Sequence, residues 1–505
     1  MKRLGIAVGL AALMAGLLSP GPANGASAGL VWGACEGDVP VVYQCATATV
    51  PLDFRQPHGK KIELALIRQP ASDVEHKIGS MFLAHPLGTF DLMVDAPPGA
   101  FAAFSRFDVI GYDGRGAARA KPAVDCKTPR SLWDPFTTKA TAPGRVDVDK
   151  MVRAADRYGQ DCLKRNADLL PYLTSAAMAR DLDLLRAMVG DERLTYVGMS
   201  QGTIIGATYA SMFPARVRAM VLDSPADPAK WRDQPLRAFR EQMAETEDVI
   251  GRFLKACATA PACGFGAGGP KAALDRLIKN LDSRPLPSAD PADSLPIDGD
   301  DVRAALNNAT YSPAFWADLA DALAKAERGD GSAIRHAARF GFGDGPGNDP
   351  VSVENNLWEA SLAADSKFPS TIGPYLRSGR EGARDFPYAG TNATSTGYGL
   401  LIPGRWPVKG KDAYRGPFHN PSWAAPILVI GGTHDAATPY KWAKTLTKDL
   451  GNARLMTYES DGHGALNDGN LCLLIPALSY LTDGRTLPPQ GTVCQQDFDP
   501  FPETG

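Results

Sequence analysis

The chain has few of the residues and patterns that mark metal sites, nucleic-acid binding or membrane spans. Among its 505 residues are only 7 histidines and 8 cysteines, and the cysteines lack the spacing of metal ligands. The formal net charge is only −3 with both signs spread along the chain, so nothing indicates a nucleic acid or an anionic membrane as partner. Beyond residue 18 no segment is apolar enough to cross a bilayer. We therefore expect no metal, no cofactor, no nucleic acid and no membrane partner for the mature chain.

The first 28 residues have the pattern of a secretory signal peptide. Met1-Lys2-Arg3 is a short basic region, and an apolar stretch of 15 residues follows at 4–18. Ala26-Ser27-Ala28 then offers a small-residue cleavage site. The apolar stretch is short for a membrane helix, so we predict that residues 1–28 are removed and that the rest is secreted to the extracellular side.

All eight cysteines follow this segment, and an even number in an oxidising compartment predicts disulfides. They are Cys35, Cys45, Cys126, Cys162, Cys257, Cys263, Cys472 and Cys494. We expect pairing in sequence order, because Cys35 is close to Cys45 in the chain and Cys257 is close to Cys263. The last pair would then tie the C-terminal tail to the final helix.

The most informative motif is Gly198-Met199-Ser200-Gln201-Gly202. It follows a short apolar run at 194–197 and precedes a stretch of small residues that predicts a helix. A Gly-x-Ser-x-Gly sequence between a buried strand and a helix is typical of a sharp turn that raises the serine hydroxyl above the sheet. An ordinary glycine-rich turn is the alternative, and these flanks disfavour it. We predict that Ser200 is the nucleophile of a serine hydrolase.

Two other predicted strand ends supply the remaining members of a catalytic triad. Asp435 follows a buried apolar strand, and His463 lies in the glycine-flanked loop after the next strand. The chain order Ser, Asp, His is the one expected when the serine lies in such a turn. Alone, Asp435 would be read as a turn residue and His463 as a surface residue. Asp461 and Asp468 are also near His463 in sequence, so either could be the carboxylate that orients it.

The oxyanion of the tetrahedral intermediate needs two hydrogen-bond donors. One is expected to be the backbone N–H of Gln201, directly after the nucleophile. The other should come from the loop after the strand at 81–84, and we assign it to the backbone of Leu87 or Gly88.

Apolar strands alternate with helices on both sides of a long insertion, which predicts an α/β fold with a mostly parallel sheet covered on both faces. This alternation of strands and helices is absent from residues 228–420, which we call the cap segment. It is too long for a loop and contains helical patterns, so we predict a helical cap that divides the core into residues 29–227 and 421–505. Carboxylates of this segment could meet a free α-amino group, although each could equally belong to a solvated helix face; they are Glu241, Glu245, Glu247, Glu354 and Glu359.

Several motifs together resemble a known family. They are His85-Pro86-Leu87-Gly88, the stretches at 107–116, 198–203 and 431–439, Gly462-His463-Gly464, and the tail at 480–484 and 488–494. In these the chain resembles the secreted tripeptidyl aminopeptidases of actinobacteria, which are α/β-hydrolases with a C-terminal module. The resemblance implies an α/β-hydrolase core, a helical cap and a triad of Ser200, Asp435 and His463.

The chain departs from that family in two places. The family carries a longer glycine-rich run where this sequence has Leu87 and Phe90, so the oxyanion loop must be reshaped. Two family cysteines of the cap are missing as a pair, one of them near Gly404.

The resemblance implies a secreted serine hydrolase that acts through an acyl-enzyme and releases short peptides from free N-termini. The reshaped loop leaves a second candidate, an esterase or lipase-like enzyme acting on an ester, lactone or acyl group. A third is a catalytically silent binding protein with the same fold. We expect a peptide or a small acyl compound as the partner, and a monomer.

Overall fold

The computed structural model describes residues 29–84, 88–127, 147–288, 295–340, 352–390 and 399–502. The predicted signal peptide and Leu87 lie outside the described residues. Within those ranges, no helix has both the length and the apolarity that crossing a bilayer requires.

One sheet forms the centre of the fold. Its strands are β1 (Gln44–Pro51), β2 (Lys61–Gln69), β3 (Gly79–Ala84), β4 (Phe107–Asp113), β5 (Leu194–Met199), β6 (Val217–Asp223), β7 (Ile427–His434), β8 (Ala453–Asp461) and β9 (Val493–Gln495). The order across the sheet is β1-β2-β4-β3-β5-β6-β7-β8-β9. Strand β2 is antiparallel to β1 and β4, and every other neighbouring pair is parallel. The predicted mostly parallel sheet is confirmed.

Helices surround the sheet and fill the insertion between β6 and β7. Those of the core are α1 (Phe90–Val94), α2 (Val148–Asn166), α3 (Ser175–Met188), α4 (Gly202–Met212), α14 (Tyr440–Leu450) and α15 (Leu471–Asp483). Those of the cap segment are α5 (Pro228–Asp233), α6 (Pro235–Thr259), α7 (Pro270–Ser283), α8 (Gly299–Ala309), α9 (Trp316–Glu327), α10 (Ser332–Phe340), α11 (Val353–Asp365), α12 (Gly373–Asp385) and α13 (Leu401–Gly404). The described part of the cap segment contains no named strand, and its β-pairing consists of isolated bridges between Leu286 and Ile297 and between Asn420 and Gly451.

Buried apolar residues form three clusters, one on each face of the sheet and one in the cap segment. One face of the sheet packs on α2, α3 and α4, and the other packs on α15 and α1. The cap segment has a third cluster built around residues such as Phe253, Leu274 and Leu323. Buried Ala436, directly after the predicted triad aspartate, joins that third cluster. The cap segment therefore packs against the loop that carries Asp435.

Four disulfides join the eight cysteines in sequence order, as expected. The pairs are Cys35–Cys45, Cys126–Cys162, Cys257–Cys263 and Cys472–Cys494. The last links α15 to β9, so the C-terminal tail is fixed as an edge strand beside β8.

The turn between β5 and α4 is strained. Ser200 adopts a φ of 55°, in the left-handed region that a residue with a side chain enters at a cost of about 1–2 kcal/mol. A Cβ on Gly202 would collide with the carbonyl oxygen of Ala84, and one on Gly198 would lie 2.5 Å from the ring of Tyr196. Both glycines of the motif are therefore needed for strand and helix to approach so closely.

Substitution Gly202→Ala tests this packing. The added methyl group has no space beside Ala84, so we expect the free energy of unfolding to fall by about 1–3 kcal/mol. Gly251→Ala is the matched control, because nothing lies within 4 Å of a Cβ at that position in α6. It should stabilise the protein by roughly 1 kcal/mol through helix propensity. Urea denaturation of both variants measures the difference, and a Gly202→Ala protein as stable as wild type would contradict the tight turn.

Candidate active site

The three predicted triad residues all lie beyond the carboxyl ends of strands in one half of the sheet. Ser200 directly follows β5, Asp435 directly follows β7, and His463 lies two residues after the end of β8. Strand β6 separates β5 from β7, and all of these strands are parallel. The carboxyl ends of parallel strands share one edge, which is where α/β folds bind ligands.

Asp435 holds the imidazole of His463. Both carboxylate oxygens lie 2.9 Å from the His463 Nδ1 atom. Asp435 is fully buried, and it also accepts hydrogen bonds from the backbone N–H groups of Ala437 and Thr438 and from the Thr438 hydroxyl. With Nδ1 engaged in this way, Nε2 is the nitrogen left to act as a base.

The other two candidate carboxylates have different partners. Asp461 forms an ion pair with the guanidinium of Arg252, on helix α6. Asp468 lies near Tyr458, and the two groups affect each other's pKa. Asp435 is therefore the carboxylate bonded to His463. His434 ends β7, and its Nδ1 lies 2.9 Å from the Asp248 carboxylate.

The end of β6 connects the serine turn to the histidine loop. Ser200 donates its backbone N–H to the carbonyl of Asp223 at 3.0 Å. The Asp223 carboxylate accepts the N–H groups of Ala465 and Leu466, each at 3.1 Å. The hydroxyl of Ser224 accepts the N–H of Gly464 at 2.9 Å. One pair of adjacent residues thus holds both the nucleophile turn and the segment after His463.

The two loops also touch through their side chains. Gly464 has a φ of 83°, and a Cβ there would lie 2.8 Å from the sulfur of Met199. Asn467 donates its side-chain amide to the same sulfur at 3.4 Å. The residue before Ser200 and the residue after His463 are therefore neighbours, so the serine turn lies beside the loop of the Asp435–His463 pair.

Sequence reasoning missed Asp223, Ser224 and Thr438. Their signal was positional: Asp223 ends a mostly apolar run at 217–223, and Thr438 lies three residues after Asp435. The sequence does not reveal their partners, because the hydrogen bonds of Ser224 and Thr438 reach residues about 240 and 25 positions away.

Buried charges near His463 favour its protonated form. Burial alone lowers the pKa of the imidazole, but the carboxylates of Asp435 and Asp223 outweigh this effect and raise the pKa above 6.5. Burial raises the pKa of the Asp223 carboxyl to about 6, although it accepts backbone hydrogen bonds. Two acids therefore stabilise positive charge on the imidazole, the charge that forms when a base takes a proton from serine.

Of the predicted oxyanion donors, Gln201 and Gly88 lie within the described residues and Leu87 does not. Gln201 is the first residue before α4, and within the described part of the chain its N–H donates no hydrogen bond. Gly88 has a φ of 119°, and a Cβ there would lie 2.5 Å from the Asp113 carboxylate. That carboxylate accepts the N–H of Phe90 and of Arg119, so the end of β4 fixes the chain beside Gly88. The oxyanion roles of Gln201 and Gly88 remain predictions.

NMR titration tests the electrostatic environment of His463. The wild-type imidazole should titrate above pH 6.5, and Asp223→Asn should lower the pKa because one nearby negative charge is lost. Asp468→Asn is the control, since the carboxylates that raise the pKa of His463 are those of Asp435 and Asp223. Equal midpoints for wild type and Asp223→Asn would show that Asp223 does not act on the imidazole.

Several known proteins are similar in sequence to this chain. The family model of the alpha/beta hydrolase fold matches residues 93–469. The tripeptidyl aminopeptidase of Streptomyces lividans is 27% identical over 486 residues, which cover 92% of this chain and 86% of that protein. Serine protease Hip1 of Mycobacterium tuberculosis (strain ATCC 25618 / H37Rv) is 29% identical, covering 92% of this chain and 90% of that protein. Carboxylesterase B of the same strain is 29% identical, covering 89% and 86%.

The family match spans most of the chain, and it includes the Gly-x-Ser-x-Gly turn and the loops that carry Asp435 and His463. The chain belongs to the α/β-hydrolase fold family and is a serine hydrolase.

Proposed function

We propose that this protein is a secreted serine peptidase that releases short peptides from free N-termini through an acyl-enzyme on Ser200. The single observation that carries the proposal is the buried Asp435–His463 pair, held by the end of β6 beside the strained turn of Ser200. This is the arrangement that activates a serine hydroxyl.

The mechanism follows from these positions. His463 Nε2 takes the proton of the Ser200 hydroxyl as the oxygen attacks the substrate carbonyl, and Asp435 stabilises the resulting imidazolium. The N–H of Gln201, at the positive end of helix α4, donates to the oxyanion. The imidazolium then gives its proton to the leaving amine. Water attacks the acyl-enzyme in the second half and returns a proton to Ser200 through the same histidine.

Two relatives support a peptide substrate. The Streptomyces protein is named a tripeptidyl aminopeptidase and the mycobacterial Hip1 a serine protease, and each aligns with nearly the whole of this chain. A peptidase of this kind must recognise a free α-amino group, for which a carboxylate beside the site is suited.

The structure separates the five cap carboxylates by their surroundings. Glu241 binds Lys230 and the Trp442 indole, and Glu247 accepts two backbone N–H groups at Tyr388 and Ala389. Burial raises the pKa of Glu359 to about 8, which leaves it mostly uncharged at neutral pH.

Glu354 lies in the first turn of α11. Glu245 is half-buried on α6, and among the described residues it accepts no hydrogen bond. Burial raises the pKa of its carboxyl, and the nearby Asp435 carboxylate also raises it. We assign the α-amino group to Glu245.

An ester substrate is the second candidate. It is favoured by the mycobacterial relative named carboxylesterase B, and by the bulky residues that replace the glycine-rich run after β3. The same acyl-enzyme chemistry would serve, with an alcohol as leaving group.

Export is part of the proposal. Four disulfides are typical of an oxidising compartment, and the sequence pattern of residues 1–28 is that of a signal peptide.

A fluorophosphonate probe tests the nucleophile. Wild-type protein should be labelled on Ser200, and Ser200→Ala should not react, because the probe forms a covalent bond only with an activated serine. Mass spectrometry of the peptide that contains residue 200 gives the readout. Labelling of Ser200→Ala at the wild-type rate would remove Ser200 from the mechanism.

A substrate panel tests the peptidase assignment. Tripeptidyl amides with a free N-terminus should be turned over at least tenfold faster, in kcat/KM, than the same amides with an acetylated N-terminus, since about 1.4 kcal/mol of binding corresponds to tenfold. Glu245→Gln should reduce this preference mainly through KM, and Glu354→Gln is the matched control. Turnover of acyl esters without turnover of any tripeptidyl amide would reject the peptidase in favour of the esterase.

A further inference from the structure

Helix α6 of the cap segment contacts both loops that carry the predicted triad partners. The Gln242 side-chain amide donates to the carbonyl of Ala437, in the Asp435 loop. Asp248 pairs with His434 at 2.9 Å, and Arg252 pairs with Asp461, two residues before His463. These three side chains lie on one side of the helix, so a single element of the cap segment holds both loops.

A second part of the cap segment reaches the imidazole itself. Tyr311 lies between α8 and the 3₁₀ turn Pro313–Phe315. Its carbonyl accepts the backbone N–H of His463 at 2.8 Å. Its ring stands edge-on to the imidazole, with 5.5 Å between ring centroids and 86° between ring planes. Backbone and side chain of one cap residue therefore contact backbone and side chain of the histidine.

The close approach of cap and loop depends on Gly462. This residue has a φ of 127°, which side-chain-bearing residues rarely adopt. A Cβ there would lie 2.9 Å from the carbonyl oxygen of Tyr311 and 3.1 Å from the ring of Pro313. The glycine before His463 is thus explained by contact with the cap segment, as the glycine after it is explained by contact with Met199.

The loop of His463 is consequently held from two sides. On the core side, Asp223 and Ser224 bind the N–H groups of residues 464–466. On the cap side, Tyr311 binds His463 and Arg252 binds Asp461. Asp435 fixes one ring nitrogen, but a hydrogen bond to Nδ1 alone leaves the ring plane free to tilt.

We propose that Tyr311 is a positioning residue of the cap segment: its ring and carbonyl hold His463 in the orientation that presents Nε2 to Ser200, and the Arg252–Asp461 pair holds the same loop. The proposal rests on the function proposed above, since it requires His463 to act as the base. The cap segment is then part of the catalytic apparatus as well as a cover for the substrate.

The ring of Tyr311 is suited to this task. An edge-to-face aromatic pair is worth about 0.5–1.5 kcal/mol, which corresponds to a rate effect of roughly 2- to 10-fold if the contact is needed in the transition state. The edge-to-face contact is made by the ring and does not need the hydroxyl, so Tyr311→Phe should keep the wild-type rate of reaction.

The test compares Tyr311→Ala with Tyr311→Phe. The second-order rate constant of fluorophosphonate labelling reports on the serine and histidine without a peptide in the site, and kcat and KM are measured alongside. Tyr311→Ala should be labelled roughly 10-fold more slowly and lose kcat by a similar factor with little change in KM, whereas Tyr311→Phe should behave as wild type. Thermal denaturation confirms that each variant is folded.

Two results would overturn the role of Tyr311. One is labelling of Tyr311→Ala at the wild-type rate. The other is a loss confined to KM, which would make Tyr311 a substrate contact with no effect on the imidazole.

A second pair of variants tests helix α6. Arg252→Gln breaks the ion pair to the histidine loop, and Arg240→Gln breaks an ion pair of the same helix to Asp385, within the cap segment. Arg252→Gln should slow labelling severalfold, and Arg240→Gln should not. Equal slowing by both would mean that the cap acts through its general stability, and no slowing by either would mean that α6 does not hold the loop; both results contradict the proposal.

His463→Ala in the same assay separates this inference from the proposed function. If His463→Ala is labelled as fast as wild type, the histidine is not the base and both proposals fail. If labelling requires His463 but is unaffected in Tyr311→Ala, the hydrolase mechanism stands and only the positioning role fails.

Discussion

The active site depends on how the end of β6 is bonded. The carbonyl of Asp223 fixes the turn of Ser200, while its carboxylate and the hydroxyl of Ser224 fix the backbone after His463. These groups are buried, so each would be costly if left without a partner. Ser224 even takes a φ of 47°, a conformation that costs energy and persists because its hydrogen bonds require it. Ser200 and His463 are therefore positioned by two adjacent residues that lie outside the predicted triad.

The elements that carry the chemistry were predictable because their signals are local. Strands β5 and β6 could be located in the sequence because buried parallel strands appear as short apolar runs between turn residues. The glycines around Ser200 lie where strand and helix approach closely, and those around His463 lie against Tyr311 and Met199. Strand β7 extends to His434, because Gly431, Gly432 and His434 pair with β8. That pairing depends on a neighbour strand and cannot be seen in the segment itself.

What the sequence did not predict depends on contacts between distant segments. Strands β1, β2 and β9 are edge or antiparallel strands with mixed burial, so their apolar pattern is weak. The pairing of His434 with Asp248 was not predicted because the two residues are 186 positions apart. Tyr311 lies in a segment with no motif, and only the fold brings it against His463. The cap segment was predicted as a cover, but its part in holding the histidine loop appears only in three dimensions.

A crystal structure of the fluorophosphonate adduct would show whether Ser200, His463 and Asp435 form a catalytic triad. We expect phosphorus bonded to the Ser200 oxygen, one phosphonyl oxygen accepting the N–H of Gln201, and His463 Nε2 within about 3 Å of the adduct while Nδ1 stays on Asp435. An adduct on a different residue, or an imidazole turned away from Ser200 with Nδ1 detached from Asp435, would contradict it.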